Sequence, residues 1–301
     1  MPPFGAHMSV AGGLPRAVAR AVVHRCDALQ VFAKNASQWR GRPLPDDEVR
    51  QFRADVTRAG LVAVVSHASY LINLATTDAV LRGRSREAMA DELDRAEALG
   101  LLGVVLHPGC YTTGHVADGI RLIASNLSEL LDQRAAGTTM VLLEGTAGQG
   151  SSIGARFEEL AEIIGLMNGH ARVGVCLDTC HLLAAGYDLT SDEGYARTFA
   201  DFSRIVGFDR LRVFHVNDSK KPLGSRVDRH EHIGKGHLGL GSFRRLVNDR
   251  RFARIPMLLE TAKAEGKATG PIAVDPLDEA NLNALRGLVE PRRGASRTRA
   301  R

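Results

Sequence analysis

A chain of 301 residues, 44% hydrophobic and 24% charged, is long enough for one large core, and no apolar run nears the roughly 20 residues of a membrane-spanning helix. Its four cysteines, none in a C-x-x-C pair, exclude a disulfide scaffold. The net charge of +5 is no general nucleic-acid signal, because the five arginines of the closing stretch PRRGASRTRAR (291–301) account for all of it.

The opening MPPFGAHMSV lacks the basic and then apolar segments of a secretory signal, so the expected location is the cytoplasm. Short apolar runs follow at 4–7, 28–33, 61–67, 102–107, 139–144, 173–178, 211–217 and 255–260. Each is continuous and rich in aliphatic or β-branched residues, as strands buried on both faces of a parallel sheet are. Helical periods lie between them. The stretch 46–60 opens on acids and closes at Gly60, and 85–100 has apolar residues at 89, 93, 96 and 99 before Gly100. The stretches 155–169 and 191–207 repeat the design.

About eight such units in roughly 290 residues predict a (β/α)8 TIM barrel, with an open doubly wound sheet as the competing arrangement. The expected division is one barrel domain over 1–290 and a basic, disordered tail over 291–301. The glycine-rich GTAGQGSSIG (145–154) lacks dinucleotide-binding spacing and reads as a loop after a strand.

The ends of the runs carry the chemistry. They present His67, His107, Glu144, Asp178 (with His181 one turn on), His215 and Glu260, at intervals of 40, 37, 34, 37 and 45 residues. Any one of these alone reads as a hydrogen-bonded cap. Six in phase deliver imidazoles and carboxylates to one rim, the C-terminal end of the strands, where barrel sites lie. Converging carboxylates repel, and cations relieve that cost. The loop GSRVDRHEHIGKGHLG (224–239) adds Asp228 and His230.

Nine donors are too many for one tetrahedral ion and suit a cluster of three with a bridging carboxylate. The imidazole content favours zinc, with manganese or iron next. Cys176 and Cys180, four apart along a predicted strand, cannot bridge there and read as reduced thiols outside the ligand set.

These residues stand in longer motifs: HASYLINLA (67–75), LHPG (106–109), LLEGTAGQGSSIG (142–154), GVCLDTCHLLAAGYDL (174–189), HVNDSK (215–220), GSRVDRHEHIGKG (224–236) and LLET (258–261). Together with FGAHMSVAGGL (4–14), they resemble the endonuclease IV family of apurinic/apyrimidinic endonucleases over most of the chain. The resemblance implies a (β/α)8 barrel with three Zn2+ ions that cuts duplex DNA 5′ to an abasic site and trims blocked 3′ ends. It groups His67, His107 and Glu144 on one ion, Glu144, Asp178, His215 and Glu260 on a second, and His181, Asp228 and His230 on a third. Glu144 and Glu260 are the expected catalytic carboxylates.

Tyr70 and Leu71 resemble the family's DNA wedge, although Tyr-Leu in a loop also reads as packing. In KNASQW (34–39), Ser37 stands where some relatives have an inserting arginine, and Arg40 or Arg42 is the expected substitute. Two readings stand for His7, a phosphate or site contact and a strand cap, and two for Trp39, core packing and support of a DNA loop. The expected partner is damaged duplex DNA, met by a monomer with no membrane. Two other functions fit a barrel: a metal-dependent sugar isomerase or epimerase, which has fewer metals, and a lesion-binding protein, which needs no donor set. Incision of an abasic duplex separates all three.

Overall fold

The computed structural model describes residues 1–264 and 272–291. Residues 292–301 of the expected tail and the middle of the unassigned stretch 262–276 lie outside the described residues. Eight strands close a parallel barrel: β1 (Phe4–His7), β2 (Ala28–Val31), β3 (Ala63–His67), β4 (Gly103–Leu106), β5 (Met140–Glu144), β6 (Val173–Asp178), β7 (Leu211–His215) and β8 (Met257–Leu259). Each strand pairs with its neighbour in sequence, and β1 closes the ring on β8. The open sheet is thereby excluded.

Alternation along the strands produces two apolar layers. Ala28, Val65, Val105, Leu142, Cys176, Val213 and Leu258 point inward and pack on one another. Their neighbours, among them Leu29, Val64, Val104, Val141, Val175, Phe214 and Leu259, point outward into the larger core beneath the helices. Both faces are apolar, so the strands read as continuous runs. At Gly5 of β1, a Cβ would lie 1.9 Å from the Ala28 carbonyl oxygen and 2.9 Å from Leu258 Cδ2. Only glycine lets β2 and Leu258 close on that point.

The outer layer holds α1 (Leu14–Val23), α2 (Asp46–Ala59), α3 (Ala79–Leu99), α4 (Val116–Asp132), α5 (Phe157–Leu166), α7 (Asp192–Ile205), α8 (Gly239–Asn248) and α9 (Pro276–Gly287), with the short α6 (Thr179–Ala185) after β6. Gly60 and Gly100 end α2 and α3 in the left-handed conformation, φ 67° and 70°. Helix α3 starts at Ala79, six residues before its apolar period, because the Asp78 side chain accepts the N–H groups of Val80 and Leu81. Its first turns are largely exposed and carry no period.

One premise about the cysteines is corrected. Strand β6 ends at Asp178, whose carboxylate accepts from Cys180 N and His181 N and so caps α6. Cys180 therefore sits on a helix, not on the strand of Cys176, and both are free, buried thiols. Burial pushes each up to about 12, so they remain protonated.

Candidate metal centre

Two residues past the inward apolar layer, the alternation brings the next inward position of every strand to the C-terminal rim: His7, Gln30, His67, His107, Glu144, Asp178, His215 and Glu260. Glu144 sits at the centre and is fully buried. Its Oε2 lies 3.2 Å from His67 Nε2 and 3.0 Å from His107 Nε2, and its Oε1 lies 2.8 Å from His215 Nδ1. One carboxylate thus faces two separate sets of imidazoles, one per oxygen. His215 Nδ1 also lies 3.0 Å from Glu260 Oε2.

The third cluster stands beside these. His181 Nε2 is 3.2 Å from Asp228 Oδ2, and His230 Nε2 is 3.3 Å from Asp228 Oδ1 and 3.5 Å from Asp178 Oδ2. Donor atoms of His67, His107 and Glu144 lie within 4.8 Å of one another, as do those of Glu144, Asp178, His215 and Glu260, and those of Asp178, His181 and His230. All nine metal candidates from the sequence therefore meet at one place. Asp178 reaches into the third cluster as well as the second. Cys176 and Cys180 also come within this range of two donors each, as protonated thiols.

The hydrogen bonds behind the rings fix which nitrogen faces inward. His67 Nδ1–H donates to the Ala68 carbonyl (2.8 Å) and His181 Nδ1–H to the Gly145 carbonyl (2.9 Å). A carbonyl can only accept, so Nδ1 keeps its proton, and in the neutral, metal-binding form of each ring it is Nε2 that carries the bare lone pair. Those lone pairs point at carboxylate oxygens, which are also acceptors. His181 Nε2 and His230 Nε2 are buried with no hydrogen-bond partner. Imidazole nitrogens facing carboxylate oxygens in a buried site require positive charge between them, a proton on the ring or a cation in its place, and backbone-oriented imidazoles are how proteins present metal ligands.

The charge balance agrees. Burial by itself would raise the Glu144 carboxyl, but His215 and His107 outweigh it and hold Glu144 well below the carboxylate range. Burial disfavours a charged His181, yet Asp178, Asp228 and Glu144 hold it well above the usual imidazole value. His215 is raised in the same sense, burial being outweighed by Cys176, Glu260 and Glu144. His7 differs: burial dominates and lowers it to about 3, so its ring is neutral.

Three side chains that sequence reasoning passed over hold the donors in place. Gln30 and Asn217 are both fully buried. Asn217 donates to Asp178 Oδ2 (2.7 Å) and accepts from Glu260 N (2.8 Å). Asp218 is buried and accepts four backbone N–H groups, from Ser219, Gly234, Leu238 and Gly239. It thereby folds the loop that carries Asp228 and His230, and a short ladder pairs Ser219 with His230. A Cβ on Gly236 would lie 2.3 Å from the Ser219 carbonyl, so glycine is needed where that loop returns.

The expected DNA contacts ring the mouth unevenly. Tyr70 is 68% exposed, with its ring 5.5 Å from that of His67 and 6.5 Å from that of His107. Leu71 beside it is half-buried. Arg40 is exposed and, among the described residues, pairs with Glu87 at 3.6 Å. Ser37 closes a turn by donating its N–H to Asn35 Oδ1. Trp39 is half-buried against the core. His7 belongs to the site, with its Nδ1 at 3.0 Å from Gln30 Nε2. The loop after β7 exposes Lys220, Lys221, Arg226 and Arg229. Among the described residues, no helix is long and apolar enough to cross a membrane.

Residues 18–283 match a family model described as a xylose isomerase-like TIM barrel. A protein of Chloroflexus aurantiacus named probable endonuclease 4 is 48% identical over 290 residues, covering 96% of this chain and 99% of its own. One of the same name from Geobacter sulfurreducens is 47% identical over 295 residues, covering 98% and 97%. The crystal structure of endonuclease IV from Thermus thermophilus superposes with a TM-score of 0.81 at 36% identity, covering 95% of this chain and 98% of that one. A D-allulose 3-epimerase from Methylomonas sp., at 16% identity and a TM-score of 0.67, shares the fold alone.

Proposed function

The chain belongs to the endonuclease IV family, and from that premise we propose that it hydrolyses the phosphodiester 5′ to an abasic site in duplex DNA, leaving a 3′-hydroxyl and a 5′-deoxyribose phosphate, and that it trims blocked 3′ ends. The observation that carries this reading is the Glu144 carboxylate shared between two imidazole sets, amid ring nitrogens whose lone pairs face carboxylate oxygens. The donor chemistry fits three zinc ions: His67, His107 and Glu144 for one, Glu144, Asp178, His215 and Glu260 for a second, and His181, Asp228 and His230 for a third, with Asp178 within reach of the last.

Zinc held by these residues would supply a hydroxide at neutral pH and would neutralise charge on the phosphate oxygens. The protein's own residues do the rest. Glu144 holds the two halves of the site at one spacing. Glu260, nearly buried beside His215, takes the proton of the attacking water. Tyr70, exposed above His67 and His107, fills the gap left by the missing base, because an abasic nucleotide costs least to extrude. Lys220, Lys221, Arg226 and Arg229 meet phosphates along the mouth. Arg40 is free to meet another.

A monomer suffices, since all nine donors come from one chain, and the free thiols suit the reducing cytoplasm. The test is metal content per chain together with incision of a duplex carrying one abasic site. The expected result is about three zinc ions, a family-type trinuclear site, and a cut product extendable by a polymerase. Intact duplex under zinc-replete conditions, or sugar isomerisation in its place, overturns the reading.

A further inference from the structure

Gln30 ends the inward face of β2 and lies in contact with three of its rim neighbours. Its Oε1 lies 2.8 Å from His215 Nε2, and its Nε2 lies 3.0 Å from His7 Nδ1 and within hydrogen-bond reach of Glu260 Oε1. The residue has no exposed surface, so no water substitutes for these partners. The Glu260 carboxylate can only accept, which fixes the amide with its NH2 toward Glu260 and its oxygen toward His215. The reverse orientation would set two acceptors against each other at Glu260.

That orientation decides the tautomer of His215. An amide oxygen at 2.8 Å requires the ring proton on Nε2. In the neutral ring, the form that binds a cation, this leaves Nδ1 as the ligand atom, directed to Glu144 Oε1 at 2.8 Å and Glu260 Oε2 at 3.0 Å. His67 and His181 take the same service from backbone carbonyls, whereas His215 takes it from a side chain. Unlike a backbone carbonyl, that side chain also grips a second donor of the same cluster. The other end of the amide makes His7 Nδ1 an acceptor, so the neutral His7 ring carries its proton on Nε2.

We propose that Gln30 is a positioning residue of the metal centre: its amide oxygen holds the His215 proton on Nε2, turning Nδ1 to the cation, while its amide nitrogen locks Glu260 and His7 in register. The inference rests on the metal-centre reading of the preceding section. A side chain that only filled the barrel interior would be replaceable by methionine, which matches its volume and has no amide. A positioning residue is not, because partners behind a ligand are worth about 10- to 100-fold in metal affinity.

The experiment titrates zinc(II) into metal-free wild-type protein and Gln30→Met in competition with a chromophoric chelator. Circular dichroism and melting temperature monitor the fold. The expected result is a near-native fold with one zinc bound on the order of 10-fold or more weaker and the others unchanged. Equal affinities for wild type and variant overturn the inference alone. A wild type that binds no zinc overturns the metal-centre reading and the inference with it. Nitrogen-15 histidine spectra of zinc-loaded wild type test the same point without any substitution. A protonated His215 Nε2 is expected, and a proton on Nδ1 overturns the proposal even if Gln30→Met does not fold.

Discussion

His215 Nδ1 at the end of β7 meets Glu144 Oε1 at the end of β5 at 2.8 Å, past the strand between them, with both side chains sealed from solvent. The opposite oxygen of the same carboxylate meets His107 and His67. Glu144→Ala removes the one group common to two clusters. Incision is expected to fall by a factor on the order of 10³ or more, as when one member of an interdependent catalytic unit is lost. The strands and their two apolar layers are untouched, so the far-ultraviolet spectrum should be unchanged. Turnover within a few-fold of wild type would falsify the bridging role.

Metal binding is expected to expel protons. Without cations, His181 and His215 are held above the ordinary imidazole value, so near neutral pH the metal-free site carries protons that an unperturbed histidine would have lost. Zinc needs those nitrogens bare. The sign is therefore release on binding, and affinity that falls as pH drops. Calorimetric titration of zinc into the metal-free protein, repeated in buffers of different ionisation enthalpy, should show about one or more protons released per chain. An enthalpy independent of buffer contradicts the assignment.

Asp218 holds four backbone N–H groups of a loop that is otherwise fastened by a two-residue ladder and scattered single hydrogen bonds. Asp218→Ala strands them in a mostly buried setting. The expected cost is about 2–3 kcal/mol in urea unfolding, the range for orphaned buried donors. Hydrogen exchange should quicken first around Asp228 and His230. A loss below about 0.5 kcal/mol, the scale of an ordinary surface change, means that the loop is anchored elsewhere.

Tyr70 separates recognition from stability. At 68% exposed it contributes little to folding, so Tyr70→Ala should leave unfolding within about 0.5 kcal/mol of wild type. Binding to an abasic duplex should weaken by about 1–3 kcal/mol, the range for one base–aromatic stack. Fluorescence anisotropy with an abasic and an intact duplex measures both the loss and the discrimination. Equal affinity of variant and wild type for the abasic duplex removes Tyr70 from the recognition surface.

Six of the nine candidate ligands were legible in the sequence because strand ends recur once per βα unit and because histidine and acid stand out against apolar runs; His181 followed one turn on, and Asp228 and His230 stood out in a polar, glycine-rich loop. Gln30 was not legible: in ALQVFA it reads as one more position of a buried strand, and only the closing of β2 between β1 and β3 reveals its partners. Asn217 and Asp218 hid for a different reason. They follow His215 directly, and nothing in the local pattern says that Asp218 folds a loop ending some twenty residues on. The start of α3 escaped because a capping side chain, Asp78, sets it where no apolar period exists. The cysteines are free thiols as expected, but the premise that both lie on one strand failed, because the strand ends and a helix begins between them.

The seam of the barrel has a further consequence. His7, Gln30 and Glu260 touch where the first strand closes on the last. The candidate site therefore joins residues from opposite ends of the barrel's sequence, and it is whole only when the last strand has met the first. Closure of the ring and completion of the donor set are thus one event, and losing the pairing of β1 with β8 would open the site on the side of His7, Gln30 and Glu260.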